Sequence, residues 1–224
     1  MPSSSESLHL LRMFSWISPA FPTGSYAYSH GLEWSVDNGD ITDVASLVIW
    51  VKALLYYGSL RSDMIFLRQA WAASSSQEIR QVAEFACASA ASRERYEETV
   101  NQGEAFLKAT DIWALFKKDP DMADIRWPLP VAQGILFRRN HMEQDLSTIS
   151  GAYVAVSGII SAALRLIPLG QSDSLKAMKQ LEHHIIRSAA KTRGKKLEDT
   201  GSGCFRSDLA SMQHEIQQTR LFRT

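Results

Sequence analysis

At 224 residues the chain is long enough to bury a substantial core and fits a single domain. Its 45% hydrophobic and 21% charged residues exclude a disordered tail, and 24 basic residues balanced by 24 acidic ones leave no net charge to drive phosphate counterion release, which excludes nucleic acid as the main partner. Cys87 and Cys204 lie far apart and outside any C-x-x-C or Cys/His ligand spacing, so neither a disulfide framework nor a structural zinc is expected. The opening M-P-S-S-S-E-S lacks the basic and apolar regions of a secretion signal, and residues 1–7 are expected to be disordered in a cytoplasmic protein.

The periodicity then predicts helices almost throughout. Leu8 to Ile17 is apolar on several sides and stops at Ser18-Pro19. Trp16 to Glu33, W-I-S-P-A-F-P-T-G-S-Y-A-Y-S-H-G-L-E, crowds Phe21, Tyr26 and Tyr28 into a bend that must pack against the chain or a partner. Ser25 is placed to cap a helix reaching Asn38-Gly39, on which Tyr26, His30, Glu33 and Asp37 would share one stripe. Thr42-Asp43 opens a helix with Val44, Leu47, Val48, Val51, Leu54 and Leu55 at helical spacing, broken near Gly58 and continuing through Met64, Leu67 and Trp71. Ser75 and Glu78 form the pattern of a capping box before Ile79, Val82 and Ala86.

Helical spacing continues over 88–118, and the prolines of Asp119-Pro120 and Trp127-Pro128-Leu129-Pro130 bracket a stiff loop. Beyond the apolar run Val131 to Phe137, Asp145 is expected to cap a helix that is uncharged from Leu146 to Leu164. That run approaches the length of a membrane span, but Ser147, Thr148, Ser150, Ser157 and Ser161 favour a buried bundle helix and no membrane. Gly151, Ala155, Gly158 and Ala162 fall on one stripe and the large residues on the opposite one, predicting a central helix without a solvent face, or else a dimer interface. Ser174 to Ala190 reads as a helix with Leu175, Met178, Leu181 and Ile185 inward, 191–206 as a mobile loop, and Ser207 to about Phe222 as the last helix. On that last helix Leu209, Met212 and Ile216 share a stripe, with His214, Gln218 and Leu221 elsewhere. The whole of 1–224 is therefore expected to be one all-α bundle of roughly eight to ten helices with no sheet.

Chemistry has few footholds. His30 one turn from Glu33 suggests an oriented base, hence a helical hydrolase or transferase as an alternative reading, but no G-x-S-x-G nucleophile accompanies it and no catalytic residue is assigned. His183 and His184 are adjacent and project about 100° apart on a helix, so they do not form an H-E-x-x-H pair. His9, His30, His141 and His214 are scattered, and no metal or cofactor is expected. The G-x-x-x-x-G-K-[ST] loop of nucleotide hydrolysis is absent from the sequence.

Three separated stretches carry a resemblance. W-I-S-P-A-F-P-T-G-S-Y-A-Y-S-H-G-L-E (16–33), R-L-I-P-L-G-Q (165–171) and S-M-Q-H-E-I-Q-Q-T-R-L-F-R-T (211–224) resemble, in order and spacing, the signature regions of the urease accessory protein F family. The chain departs from that family in ending on Thr224 where serine is usual, and in having no proline after Pro168. The resemblance implies a non-enzymatic, homodimeric adaptor that binds urease accessory protein D/H and recruits the accessory GTPase G. With them it would deliver nickel to apo-urease, so that the nucleotide chemistry belongs to the GTPase; direct nickel carriage is the second alternative. The expected partner-binding residues are Phe21, Tyr26, Tyr28, His30, Glu33, His214, Arg220, Leu221, Phe222 and Arg223, with Arg220 foremost for recruiting the GTPase.

Overall fold

The computed structural model describes residues 4–117 and 120–224. Helix α1, Ser4–Ile17, ends where Ser18 precedes proline, and Met13 and Trp16 anchor it on the bundle. Residues 4–7, expected to be disordered, form its first turn, where Glu6 complements the positive end of the helix dipole; residues 1–3 of that expectation lie outside the described residues. The helix predicted from Ser25 divides into a 3₁₀ turn, Ser25–Ala27, and a short α2, Leu32–Asp37. Between them His30 and Gly31 both take left-handed backbone, with φ 61° and 73°, which ends any helical run. A Cβ at Gly31 would also lie 3.0 Å from the Ser211 backbone, so only glycine suits this turn.

Helix α3, Val44–Tyr57, is capped as predicted, with Asp43 accepting from Ser46 N at 2.8 Å. Gly58 separates it from α4, Ser59–Ala72. In α5, Ser76–Ala88, Ser75 Oγ accepts from Glu78 N at 3.2 Å, while the Glu78 carboxylate turns to Ser74 N at 2.6 Å. Helix α6 is Arg93–Thr110 and α7 is Leu129–Arg139, entered through Pro128 with Pro130 in its first turn. Pro120 opens a 3₁₀ turn, and Asp119 of the predicted stiff loop lies outside the described residues.

Helix α8, Gln144–Leu166, starts one residue before Asp145, which does not cap it. That carboxylate instead bonds Arg68 at 2.7 Å and Arg193. The side chain of Arg68 is nearly fully buried, and an unpaired buried guanidinium costs more than a missing cap. Helix α9, Gln171–Lys191, buries Ala177, Leu181, Ile185 and Ala189; Leu175, expected inward, is exposed because Ala177 occupies the core-facing turn. The 191–206 segment, expected to be a mobile loop, makes hydrogen bonds to α3 and α4: Asp199 O accepts from Arg61, Gly201 N donates to Ser62 Oγ, and Gly203 N donates to Tyr57 O at 2.7 Å. Helix α10, Phe205–His214, is the last.

The ten α-helices and the absence of any strand among the described residues bear out the all-α reading. Two apolar clusters form the core. One gathers α2, α3, α8 and α9 together with Phe222. The other gathers α1, α5, α6 and α7. Helix α4 joins them, giving Leu60 and Met64 to the first and Phe66, Leu67 and Ala70 to the second. The central helix is thus α4. Helix α8, although long and apolar enough to cross a membrane, packs on α4, α7 and α9 and keeps an outer face with Leu146 and Tyr153, contrary to the expectation of none.

Candidate docking site at the folded-back tail

Helix α10 is amphipathic with its sense reversed. Ser207, Ala210, Ser211 and His214, spaced by about one turn, face the bundle. Phe205 at 80% exposure, Leu209, Met212 and, just past the helix, Ile216 at 74% face outward. Polar partners waiting inside explain this orientation: Ser211 Oγ meets Ser92 Oγ at 2.5 Å, and His214 lies between two carboxylates. Leaving those carboxylates buried and unpaired would cost more than exposing these four apolar side chains.

The helix predicted to reach Phe222 stops at His214, where the Ile216 and Gln217 amides turn to Gln213 O and His214 O, and the amides further along the tail take a side-chain acceptor. Glu33 Oε1 accepts from Leu221 N at 2.6 Å, and Glu33 Oε2 accepts from Phe222 N at 2.9 Å and meets His214 Nε2 at 3.1 Å. On the other side of the imidazole, Nδ1 lies 2.6 Å from Glu94 Oε2, and Arg220 donates to Glu94 Oε1 at 2.6 Å. His214 is fully buried.

The tail then runs beside the bend of residues 27–29. Arg223 N donates to Ala27 O, and both Ser29 N and Ser29 Oγ donate to Thr224 O. Thr224 Oγ1 donates to Glu98 Oε2 at 2.9 Å, an oxygen that Arg95 also holds at 2.6 Å. Burial alone would push the Glu98 carboxyl up, but the Arg95 charge and the neighbouring His30 together outweigh it and hold its pKa at about 2. Asp63, 3.9 Å from Arg95, goes the other way, pushed up by burial against the pull of Arg95.

The predicted site residues do not form one cluster. Glu33, His214, Arg220, Phe222 and the Arg223 backbone converge on the tail, while Tyr26, at 72% exposure, and Leu221 present side chains to solvent. Phe21 packs between Phe106 and Trp113, and buried Tyr28 accepts at its hydroxyl from Asn101, so both serve the bend itself. The Tyr26/His30/Glu33/Asp37 stripe does not form, because the left-handed turn at 30–31 splits its helix. His30 pairs with Ser59 Oγ at 2.7 Å and lies 3.6 Å from Glu98, not against Glu33. The base-and-orienter pair of the enzymatic alternative is therefore not assembled. A cavity of about 60 Å³ beside His30, also lined by Ser59, Asp63, Arg95 and Ser211, has room for only a few waters.

The small-residue stripe of α8 also divides. Gly151 and Ala162 are buried, and a Cβ on Gly151 would meet Leu67 Cδ1 at 2.6 Å; Ala155 and Gly158 are half-buried, with open space at Gly158. Among the described residues no three His, Cys, Asp or Glu side chains gather as a metal site: the His9 ring packs at a tilt against His141, and His184 meets Tyr56. Sequence reasoning missed Glu94, Glu98 and Arg165. In R-E-R-Y-E-E the two glutamates stand one turn apart among other charges, indistinguishable from a solvated face.

An all-α bundle whose buried ion pairs fasten its own last residues onto an N-terminal bend, leaving an apolar stripe outside, is the class of protein these features define. The UreF family model matches residues 41–182. The chain is 43% identical over 223 residues to urease accessory protein UreF of Rhodopseudomonas palustris (strain BisA53), covering 96% of this chain and 93% of that protein. It is 43% identical over 225 residues to urease accessory protein UreF of Bradyrhizobium diazoefficiens, covering 98% and 93%. A third UreF, from R. palustris (strain BisB18), is 40% identical over 228 residues, covering 99% and 95%. The chain belongs to the UreF family of urease accessory proteins.

Proposed function

We propose that this chain is a non-enzymatic, cytoplasmic adaptor in nickel-urease maturation that binds urease accessory protein D/H through α10 and the tail. As a homodimer it recruits the accessory GTPase G, with Arg220 and Arg223 as the polar contacts, and gates GTP hydrolysis while nickel passes to apo-urease. The observation that carries the reading is the reversed amphipathicity of α10, which puts Phe205, Leu209, Met212 and Ile216 in water. A contiguous exposed apolar run of this kind is what a partner-binding surface presents. Exposed Tyr26 and Leu221, with half-exposed Arg220, add the aromatic and arginine side chains typical of interface hot spots.

The test is a pull-down of the D/H protein and the GTPase with wild-type chain and with Leu209→Asp/Met212→Asp. These side chains support little of the core, so thermal unfolding should stay close to wild type while recovery of the D/H protein falls at least tenfold, the equivalent of about 1.4 kcal/mol. Wild-type recovery by the folded double variant would defeat the docking reading.

A further inference from the structure

The R-L-I-P-L-G stretch at the end of α8 contributes nothing to the carboxylate network, yet its first residue touches both other signature stretches. The guanidinium carbon of Arg165 lies 3.8 Å from the ring centroid of Tyr26 in the bend and 4.1 Å from that of Phe222 in the tail. Its NH1 donates to Tyr26 O at 2.7 Å and its Nε donates to Ser161 O at 3.4 Å. Among the described residues no carboxylate lies within ion-pairing distance of it. Its charge is therefore met by two ring faces and two carbonyls, an arrangement that suits a flat, weakly hydrated guanidinium and not a compact ammonium. Glu33 and Glu94 hold the tail backbone and Arg220 from one side; Arg165 holds the Phe222 ring from α8.

We infer that Arg165 is the positioning residue of the tail, holding Phe222 and Tyr26 in fixed relation so that Arg220 to Arg223 are presented in one geometry. This deepens the docking reading and rests on it only for the consequence in partner binding. Amide hydrogen exchange on the whole chain tests it. In Arg165→Ala the Leu221 and Phe222 amides should exchange about tenfold faster than in wild type, while the α4 amides keep their protection. Arg165→Lys, which keeps a charge and a donor but not the plane, should fall between. Unchanged tail protection in Arg165→Ala, full wild-type behaviour of Arg165→Lys, or an equal loss of protection in α4 would each overturn the inference.

Capture of the D/H protein separates the two claims. A loosened tail with undiminished capture leaves the positioning role standing and defeats docking through the tail. A tight tail with lost capture overturns the positioning role and leaves docking intact.

Discussion

Glu98 shows at the scale of one residue how the tail is tied to charge. Its carboxylate holds Arg95 and Thr224 together, and with a pKa of about 2 against an ordinary 4.5 it binds its proton more weakly folded than unfolded. A carboxyl depressed in the folded state contributes stability that is complete above the unfolded value and is lost as pH falls through the folded one. The urea midpoint should therefore drop between about pH 4.5 and pH 2 more steeply in wild type than in Glu98→Gln, which has no such proton to take up. Equal slopes would mean that Arg95 and His30 do not hold the carboxylate charged. Neither Glu98 nor Glu94 stood out in the sequence, because a buried glutamate and a solvated one are the same letter on a charged helix. Glu33 was legible only as a neighbour of His30, and its real partners lie some 180 positions away.

Elements were legible in their period and not in their orientation. The 3.6-residue spacing correctly grouped Leu209 and Met212, but a stripe does not say whether it faces core or water; the waiting carboxylates around His214 decided that. In the same way the stripe of α8 was found as one feature and proved to be two environments. Gly151 packs against Leu67 and Gln133, whereas nothing lies within 4 Å of a Cβ at Gly158. Gly158→Ala should therefore stabilise the chain by roughly 0.5–1 kcal/mol through helix propensity, and Gly151→Ala should destabilise it by about 1–3 kcal/mol through overpacking. Urea unfolding of the two variants checks this, and effects of the same sign would show that the division is not real. The cap expected at Asp145 failed for a related reason, since buried Arg68 on another helix competes for that carboxylate.

Across the whole molecule, the segment after His214 closes the bundle by joining the end of the sequence to the first bend. Phe222 adds to the cluster of α2, α3, α8 and α9, so the tail is part of the core as well as of the surface. Deleting 215–224 should lower the unfolding free energy by more than about 2–3 kcal/mol, the value of burying one phenylalanine ring, because Glu33, Glu94 and Glu98 also lose the donors that the tail supplies, while far-ultraviolet circular dichroism keeps its helical shape. A deletion with wild-type stability would mean that the tail is docked without contributing to the fold.

What the sequence determined by itself was local or compositional: the helical period of most segments, the breaks at Pro19, Gly58 and Pro168, the helix start at Asp43, the all-α class and, through three separated motifs, the family. Each follows from side-chain period or backbone restriction within a few residues. The tertiary structure alone decided that the bend, the R-L-I-P-L-G stretch and the tail meet at Arg165 and Glu33, and that α10 turns its apolar side outward. Those outcomes depend on charges and rings brought together from positions more than 50 residues apart, where desolvation, and not helical period, sets which face is buried.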